Sequence, residues 1–254
     1  MPFHAKKSLG QNFLINKGII AKVIAAAELS KNDTVLEIGP GMGVLTEELL
    51  KYSGRVIAVE KDKRLYELLQ EKFKDADNLE LINADITDYE LQIKNYKIVA
   101  NIPYNITGQI FNKFLLADDR PQMIIVMVQK EVGDRLLGKE KSILSLVAEL
   151  YGDRKKVCDV SPGSFRPAPK VSSSVIKLTV GRRVSHSMEK KVLQIAKAGF
   201  SQRRKKLISN LSTALKIDKK ILQNIFLSLD LHENARAEEL SRAMWLKLAE
   251  MMKF

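Results

Sequence analysis

The chain has little of what would make a protein secreted, membrane-bound or metal-dependent. A single cysteine, Cys158, stands among 254 residues. No internal disulfide can form, and a reducing compartment is expected. His4, His186 and His232 are scattered without ligand spacing, so no metal site is expected. No apolar run is long enough to span a bilayer. The basic stretch Met1 to Lys7 lacks the apolar core of a signal peptide. The expected location is the cytoplasm, and the expected state is a monomer. Acidic residues are also in deficit: 42 Lys and Arg face 30 Asp and Glu, a formal charge of +12. Such an excess serves solubility, and it also draws polyanions, because phosphates attract clustered lysine and arginine at long range.

What is present is an alternation of short β runs and helical stretches. Thr34 to Ile38, Arg55 to Glu60, Leu79 to Ile82, Lys97 to Ala100 and Met123 to Val128 read as strands with helical segments between them, the pattern of a parallel sheet covered on both faces. The run 123–128 is apolar on both faces and is expected to be central. Lys155 to Val160 and Ser173 to Val180 read as two further strands joined by the Pro-rich segment Ser161 to Lys170. A connection without a crossover helix predicts an antiparallel hairpin. An α/β sheet closing this way is the pattern expected of a Rossmann-like class I methyltransferase. After Gly181 the texture changes to helical periodicity over 188–200, 203–215, 219–227 and 235–252, with no β runs. The expected organisation is a first domain over 1–181 and a small all-helical domain over 182–254.

Glu37-Ile38-Gly39-Pro40-Gly41-Met42-Gly43 leaves the first of these strands and opens a helix. Glycines there let backbone approach a ligand closely. Glu60 ends the next strand, about twenty residues on, where an acid holds ribose hydroxyls. Both features also fit a dinucleotide enzyme, but the third glycine of that fingerprint is replaced by Val44. A tight turn without a ligand is the plainer alternative. Asp85, after the third strand, reads either as an adenine contact or as a simple turn residue.

The stretch Asn101-Ile102-Pro103-Tyr104-Asn105-Ile106 is an unusual exit from a strand. The ligand-binding rim of an open α/β sheet is the carboxyl end of its strands, which sets this stretch beside the glycine loop. Pro103 restricts Ile102 to extended backbone. The Asn101 side-chain oxygen and the Ile102 carbonyl then converge as two acceptors for the hydrogens of an amino group, and the Tyr104 ring offers a stacking face for a flat base. Holding the hydrogens of an exocyclic amine aims its lone pair at an electrophile, an effect of orientation and electrostatics. The alternative is a proline turn with a packed tyrosine. Gln202-Arg203-Arg204-Lys205-Lys206 reads as a basic run opening a helix, suited to phosphate contact unless it is only a solvated face.

These segments together resemble the ribosomal RNA adenine N6,N6-dimethyltransferases, most closely the small-subunit branch known in bacteria as KsgA. Lys7 to Leu14 resembles the segment that closes over S-adenosylmethionine in that family, which implies cofactor contacts from Gln11, Asn12 and Leu14. Gly39, Gly41, Glu60, Asp85 and Asn101 match its remaining cofactor positions. Asn101-Ile102-Pro103-Tyr104 matches its catalytic Asn-Leu-Pro-Tyr, with Ile for Leu. Phe165, in Phe165-Arg166-Pro167-Ala168-Pro169-Lys170-Val171, matches a late aromatic loop and is expected to form a second stacking wall opposite Tyr104, against the alternative of a hydrophobic plug. Phe200 to Leu207 matches the start of the helical RNA-binding region, with Arg203, Arg204, Lys205 and Lys206 as its basic residues. The resemblance implies S-adenosylmethionine as cofactor and dimethylation of two adjacent adenosines near the 3′ end of small-subunit ribosomal RNA in a ribosome precursor. A large-subunit enzyme of the macrolide-resistance type shares these motifs, and a precursor-escorting protein with incidental methylation is the non-enzymatic alternative.

Overall fold

A computed structural model describes residues 11–181 and 184–252. Lys7 to Gly10 of the N-terminal segment, and Arg182 and Arg183 at the expected domain boundary, lie outside these residues. The described chain forms two compact units. One holds residues up to Asp134 together with Asp153–Val180, the other Arg135–Gly152 and Gly181 onward.

The first unit is a seven-stranded sheet and its covering helices. In chain order the elements through β9 are β1 (Phe13–Leu14), α1 (Lys17–Ala27), β2 (Thr34–Ile38), α2 (Val44–Tyr52), β3 (Arg55–Glu60), α3 (Lys63–Lys72), β4 (Leu79–Asn83), β5 (Tyr96–Asn101), α4 (Thr107–Leu116), β6 (Met123–Gln129), α5 (Lys130–Leu136), α6 (Ile143–Tyr151), which belongs to the second unit, β7 (Gly152–Val160), β8 (Phe165–Arg166) and β9 (Ser173–Val180). The strand order is β4-β3-β2-β5-β6-β9-β7, and β1 pairs separately with β8. Strands β2 to β6 run parallel, while β9 runs antiparallel to β6. This is the α/β methyltransferase sheet expected from the alternation. Six of the seven residues of β6 are buried, which fits a central strand apolar on both faces. The edge strand β7 carries Lys155 and Lys156, charges of the kind that block edge-to-edge pairing.

Alternation within the strands divides the core. Val35, Val56, Ala58, Val99, Ile125 and Val175 face one side and pack with Ile19, Ile20 and Val23 of α1 and Leu45 and Leu49 of α2. Lys97 interrupts the apolar pattern of β5. Its ammonium reaches the carbonyls of Ala27 and Glu28 at 3.3 and 2.8 Å and Asp33 Oδ2 at 3.1 Å. A cation at the carboxyl end of α1 satisfies orphan carbonyls and complements the helix dipole.

The second unit contains α6, α7 (His186–Gly199), α8 (Leu207–Leu215), α9 (Lys219–Ser228) and α10 (Arg242–Met251). Trp245 is buried and stacks on Phe200 with ring centroids 5.7 Å apart. Arg135–Gly152 joins this unit by tertiary packing that a linear change of texture does not register. Two helices are shorter than their periodicity predicts. The basic residues 203–206 lie in turns ahead of α8, whose first helical residue is Leu207. Of 235–252 only α10 and a short 3-10 turn at Ala237–Glu239 are helical, since Ser241 caps α10 by accepting from the Met244 amide.

Gly54 shows how tightly the turn between α2 and β3 is drawn. A Cβ there would lie 2.0 Å from the Lys31 carbonyl oxygen, which is backbone and cannot swing aside. Gly54→Ala is expected to cost about 1–3 kcal/mol of stability. Gly108→Ala, where an added Cβ meets nothing within 4 Å, is expected to change stability by less than about 0.5 kcal/mol. Urea denaturation of the two variants checks both expectations, and equal midpoints would contradict the predicted clash.

Candidate active site

The carboxyl ends of β2, β3, β4 and β5 surround one cavity. Its lining includes Gln11, Asn12, Phe13 and Leu14 from the N-terminal segment, Glu37 to Met42 from the end of β2 and the glycine loop, Glu60, Asp85, and Asn101 to Tyr104. The structure therefore gathers every proposed cofactor residue, and the Asn101 to Tyr104 motif, at one place. Phe165 and the basic residues 203–206 are not among the lining residues.

The glycine loop is built by backbone geometry. Gly39, Gly41 and Gly43 all have positive φ, at 67°, 61° and 73°, a region L side chains rarely adopt. The loop is tied to β3 by a hydrogen bond from the Gly39 amide to the Val59 carbonyl at 2.9 Å. Glu60 then uses both carboxylate oxygens: Oε2 accepts from the Gly41 amide at 3.1 Å and Oε1 from the Asp62 amide at 2.9 Å. Burial raises the Glu60 carboxyl above its ordinary range, and these two amides oppose the shift. A second acid was missed as an individual residue. Glu37, 1% exposed, lies at the base of the loop, and burial, reinforced by the charge on Glu60, pushes its carboxyl up to about 8. Among the described residues its Oε2 has no hydrogen-bond partner. A buried carboxyl oxygen without a partner, at the wall of a cavity, is a polar atom that a ligand can satisfy. Nothing in the motif distinguishes it from a glutamate that simply ends a strand.

At the far rim Asp85 is a turn residue as well as a cavity residue. Its Oδ1 accepts from the amide and hydroxyl of Thr87 at 2.9 and 2.7 Å, and its Oδ2 from Lys61 Nζ at 2.6 Å. The Lys61 ammonium, with Thr87, holds its carboxyl down at about 2. Three acids on one rim thus sit in three electrostatic states because their surroundings differ.

The N-terminal segment crosses the cavity and is held at several points. Gln11 Nε2 donates to Asp62 Oδ2 at 3.0 Å. The Asn12 carbonyl accepts from Asn101 Nδ2 at 3.1 Å. Phe13 lies on the glycine loop, where a Cβ on Gly41 would meet its ring at 3.0 Å. Phe13 and Leu14 pair antiparallel with Arg166 and Phe165. Phe165 is therefore not the second stacking wall expected of it. The residue is 2% exposed and packs in the core with Leu14, Val160 and Val175, because pairing with β1 turns it inward as a plug and leaves its backbone to hold the segment.

The bond from Asn101 has a chemical consequence. With the donor end of the amide committed to Asn12, the side-chain oxygen becomes the end presented as an acceptor. Ile102 is buried at 1% exposure, anchoring the strand exit, and Pro103 leads into a 3-10 turn at Tyr104–Ile106. A Cβ on Gly39 would stand 3.7 Å from Pro103 Cδ, so the glycine loop and the Asn101 to Tyr104 segment are neighbours. The Tyr104 hydroxyl shares a hydrogen bond with Ser173 Oγ at 2.7 Å. No local feature of the sequence marks Ser173, which reaches the rim because β9 starts where β6 ends.

In the second unit Arg203, Arg204, Lys205 and Lys206 are all exposed. Their turn is pinned from beneath by Asn210, whose Nδ2 donates to the carbonyls of Gly199 and Gln202 at 2.6 and 3.0 Å. Four cations are thereby held on a defined loop.

Residues 2–253 match the ribosomal RNA adenine dimethylase family. A ribosomal RNA small subunit methyltransferase A from Dehalococcoides mccartyi is 42% identical over 253 residues, covering 96% of this chain and 87% of the relative. Among solved structures, a dimethyladenosine transferase from Plasmodium falciparum superposes with a TM-score of 0.80 at 28% identity, covering 93% of this chain and 95% of that one. The 23S rRNA methyltransferase ErmE superposes with a TM-score of 0.75 at 26% identity, covering 94% of this chain and 99% of that one. A match of this length, carried by a methyltransferase sheet with Asn101 to Tyr104 at its rim, leaves one assignment: the chain belongs to the ribosomal RNA adenine dimethylase family.

Proposed function

We propose that the protein uses S-adenosylmethionine to dimethylate the N6 amines of two adjacent adenosines near the 3′ end of small-subunit ribosomal RNA, and that it acts on a ribosome precursor during assembly. The observation that carries the chemistry is the Asn101–Asn12 hydrogen bond, which orients the Asn101 oxygen as an acceptor. Asn101 and the Ile102 carbonyl hold the amine hydrogens, and the Tyr104 ring bears the base. S-adenosylmethionine, when bound, supplies a methyl group on a positively charged sulfur. The chain's own residues fit it: Gly39 and Gly41 leave room where side chains would intrude, Glu60 accepts from the ribose, Asp85 faces the adenine, and the orphaned Glu37 oxygen awaits a polar partner. Gln11, Asn12 and Leu14 cover the site. Arg203, Arg204, Lys205 and Lys206 contact RNA phosphates. Cytoplasmic location and a monomeric state complete the proposal.

The near-full-length likeness to ErmE keeps a large-subunit target as the second reading. Incubating the protein with each unmethylated ribosomal subunit and mapping modified nucleotides by primer extension decides between them. Stops confined to large-subunit RNA would overturn the small-subunit assignment.

Asn101→Ala is expected to abolish turnover while leaving cofactor affinity within about tenfold, roughly 1.4 kcal/mol or less, because the amine is aimed chiefly on the way to the transition state. Near-normal single-turnover rates in this variant would refute the role. Glu60→Ala is expected to weaken cofactor binding at least tenfold, about 1.4 kcal/mol, with RNA affinity unchanged. Calorimetry showing wild-type cofactor affinity would remove Glu60 from the site. Arg203→Ala combined with Lys206→Ala is expected to flatten the slope of log affinity against log salt by roughly 0.7 to 0.9 for each phosphate that the variant no longer binds, with cofactor affinity unaltered. Salt-titrated filter binding to precursor subunits measures this, and an unchanged slope would mean that these side chains only solvate the surface.

A further inference from the structure

We infer that Ser173 is a positioning residue for the methyl transfer: its hydroxyl holds the Tyr104 ring at the angle from which the ring receives the target base. The inference rests on the proposed role of Tyr104 as the stacking face.

The chain reaches Tyr104 from one side only. Ile102 is buried, Pro103 fixes the approach, and Thr107 Oγ1 donates to the Tyr104 carbonyl at 3.2 Å. These contacts place the backbone, and the two side-chain torsions of the ring are set by what the ring itself touches. A hydrogen bond at the far end of the ring restrains both torsions, and the bond at 2.7 Å to Ser173 Oγ is such a tether.

Ser173 is built to serve as a fixed post. It is 0% exposed, stands opposite Gln129 in the ladder with β6, and follows Ser172, whose carbonyl accepts from the Lys130 amide at 2.9 Å. Its neighbour Ser174 points to the other face and donates to Asp159 Oδ1 at 2.9 Å. The reversed direction of β9 matters here. Parallel strands bring their carboxyl ends to the rim, and only an antiparallel strand brings its first residue there. Asn101 stands opposite Met127 in the adjoining ladder, so the acceptor and the post are supported by the same strand, β6. Burial keeps the Tyr104 phenol protonated, which suits a hydroxyl that bonds to a neutral partner and does not act as a base.

The test compares Ser173→Ala, Ser173→Thr, Tyr104→Phe and the Ser173→Ala/Tyr104→Phe double variant on unmethylated ribosomal subunits. The readouts are kcat and KM for RNA, and cofactor affinity by calorimetry. Ser173→Ala and Tyr104→Phe are each expected to lower kcat about tenfold, since a small misplacement of a reacting group is costly. The double variant is expected to be no slower than the slower single one, because both remove the same bond. Cofactor affinity is expected to stay within about twofold, and Ser173→Thr, which keeps the hydroxyl, to recover most of the rate. Tyr104→Phe preserves ring volume and tests the same bond from the less buried end should Ser173→Ala fail to fold. A kcat within twofold of wild type in Tyr104→Phe or in folded Ser173→Ala, multiplicative losses in the double variant, or a parallel fall in cofactor affinity would overturn the inference. Tyr104→Ala separates the two levels. If it retains wild-type kcat and KM, the stacking role itself is wrong; if it fails while Ser173→Ala is normal, only the positioning role is.

Discussion

The site exists because two neighbouring parallel strands part company. The ladder between β2 and β5 runs from Thr34↔Tyr96 to Leu36↔Ile98 and stops there, although β2 continues to Ile38 and β5 to Asn101. On their outer sides both strands remain paired to their ends, Ile38 with Val59 and Asn101 with Met127. The opening falls between the strands where the sheet order reverses, from β4-β3-β2 on one side to β5-β6 on the other. Chains leaving a parallel sheet at such a point turn in opposite directions and cannot fill the space between them. The glycine loop leaves from one lip and Asn101 to Tyr104 from the other, and the chemistry proposed for them requires that gap.

The N-terminal segment spans the gap through contacts to both lips and to a third element. Gln11 binds Asp62, two residues beyond Glu60, the Asn12 carbonyl binds Asn101, and Phe13 and Leu14 pair with β8. Asp62 is itself held by Arg64, which keeps its carboxyl well below the usual range and available as an acceptor. The N-terminal segment and the Asn101 amide are therefore linked through one hydrogen bond. The orientation of the Asn101 side chain depends on a residue 89 positions earlier.

Electrostatics divide the labour between the two units. Around the cavity the acids are tuned individually, with Glu37 largely neutral, Glu60 raised by burial and Asp85 held ionised by Lys61. On the helical unit the cations of residues 203–206 are exposed, and the phosphate contacts proposed for them depend on number and placement. In the proposed function the first arrangement faces the cofactor and the second the RNA phosphates.

Much of this was legible in the sequence. The strands and the order of motifs followed from two-residue and helical periodicities, and Gly39 to Gly43, Glu60, Asp85 and Asn101 to Tyr104 could be singled out as candidates because their spacing is local and their residue types are demanded by backbone geometry or by chemistry. Phe165 was misplaced because stacking wall and core plug have the same local pattern of aromatic ring and prolines, and only its pairing with Leu14 turns it inward. The helix at 203–206 was overextended because periodicity does not show where Asn210 draws the preceding turn closed. Ser173, the neutral state of Glu37 and the partner of Gln11 left no local trace. By itself the sequence determined which segments are strands and helices and which residue types can line a cofactor cleft, since those depend on neighbours a few positions apart. Only the tertiary structure decided which hydroxyl, carboxyl and amide meet across the rim, since hydrogen bonds and desolvation depend on distances that chain spacing does not encode.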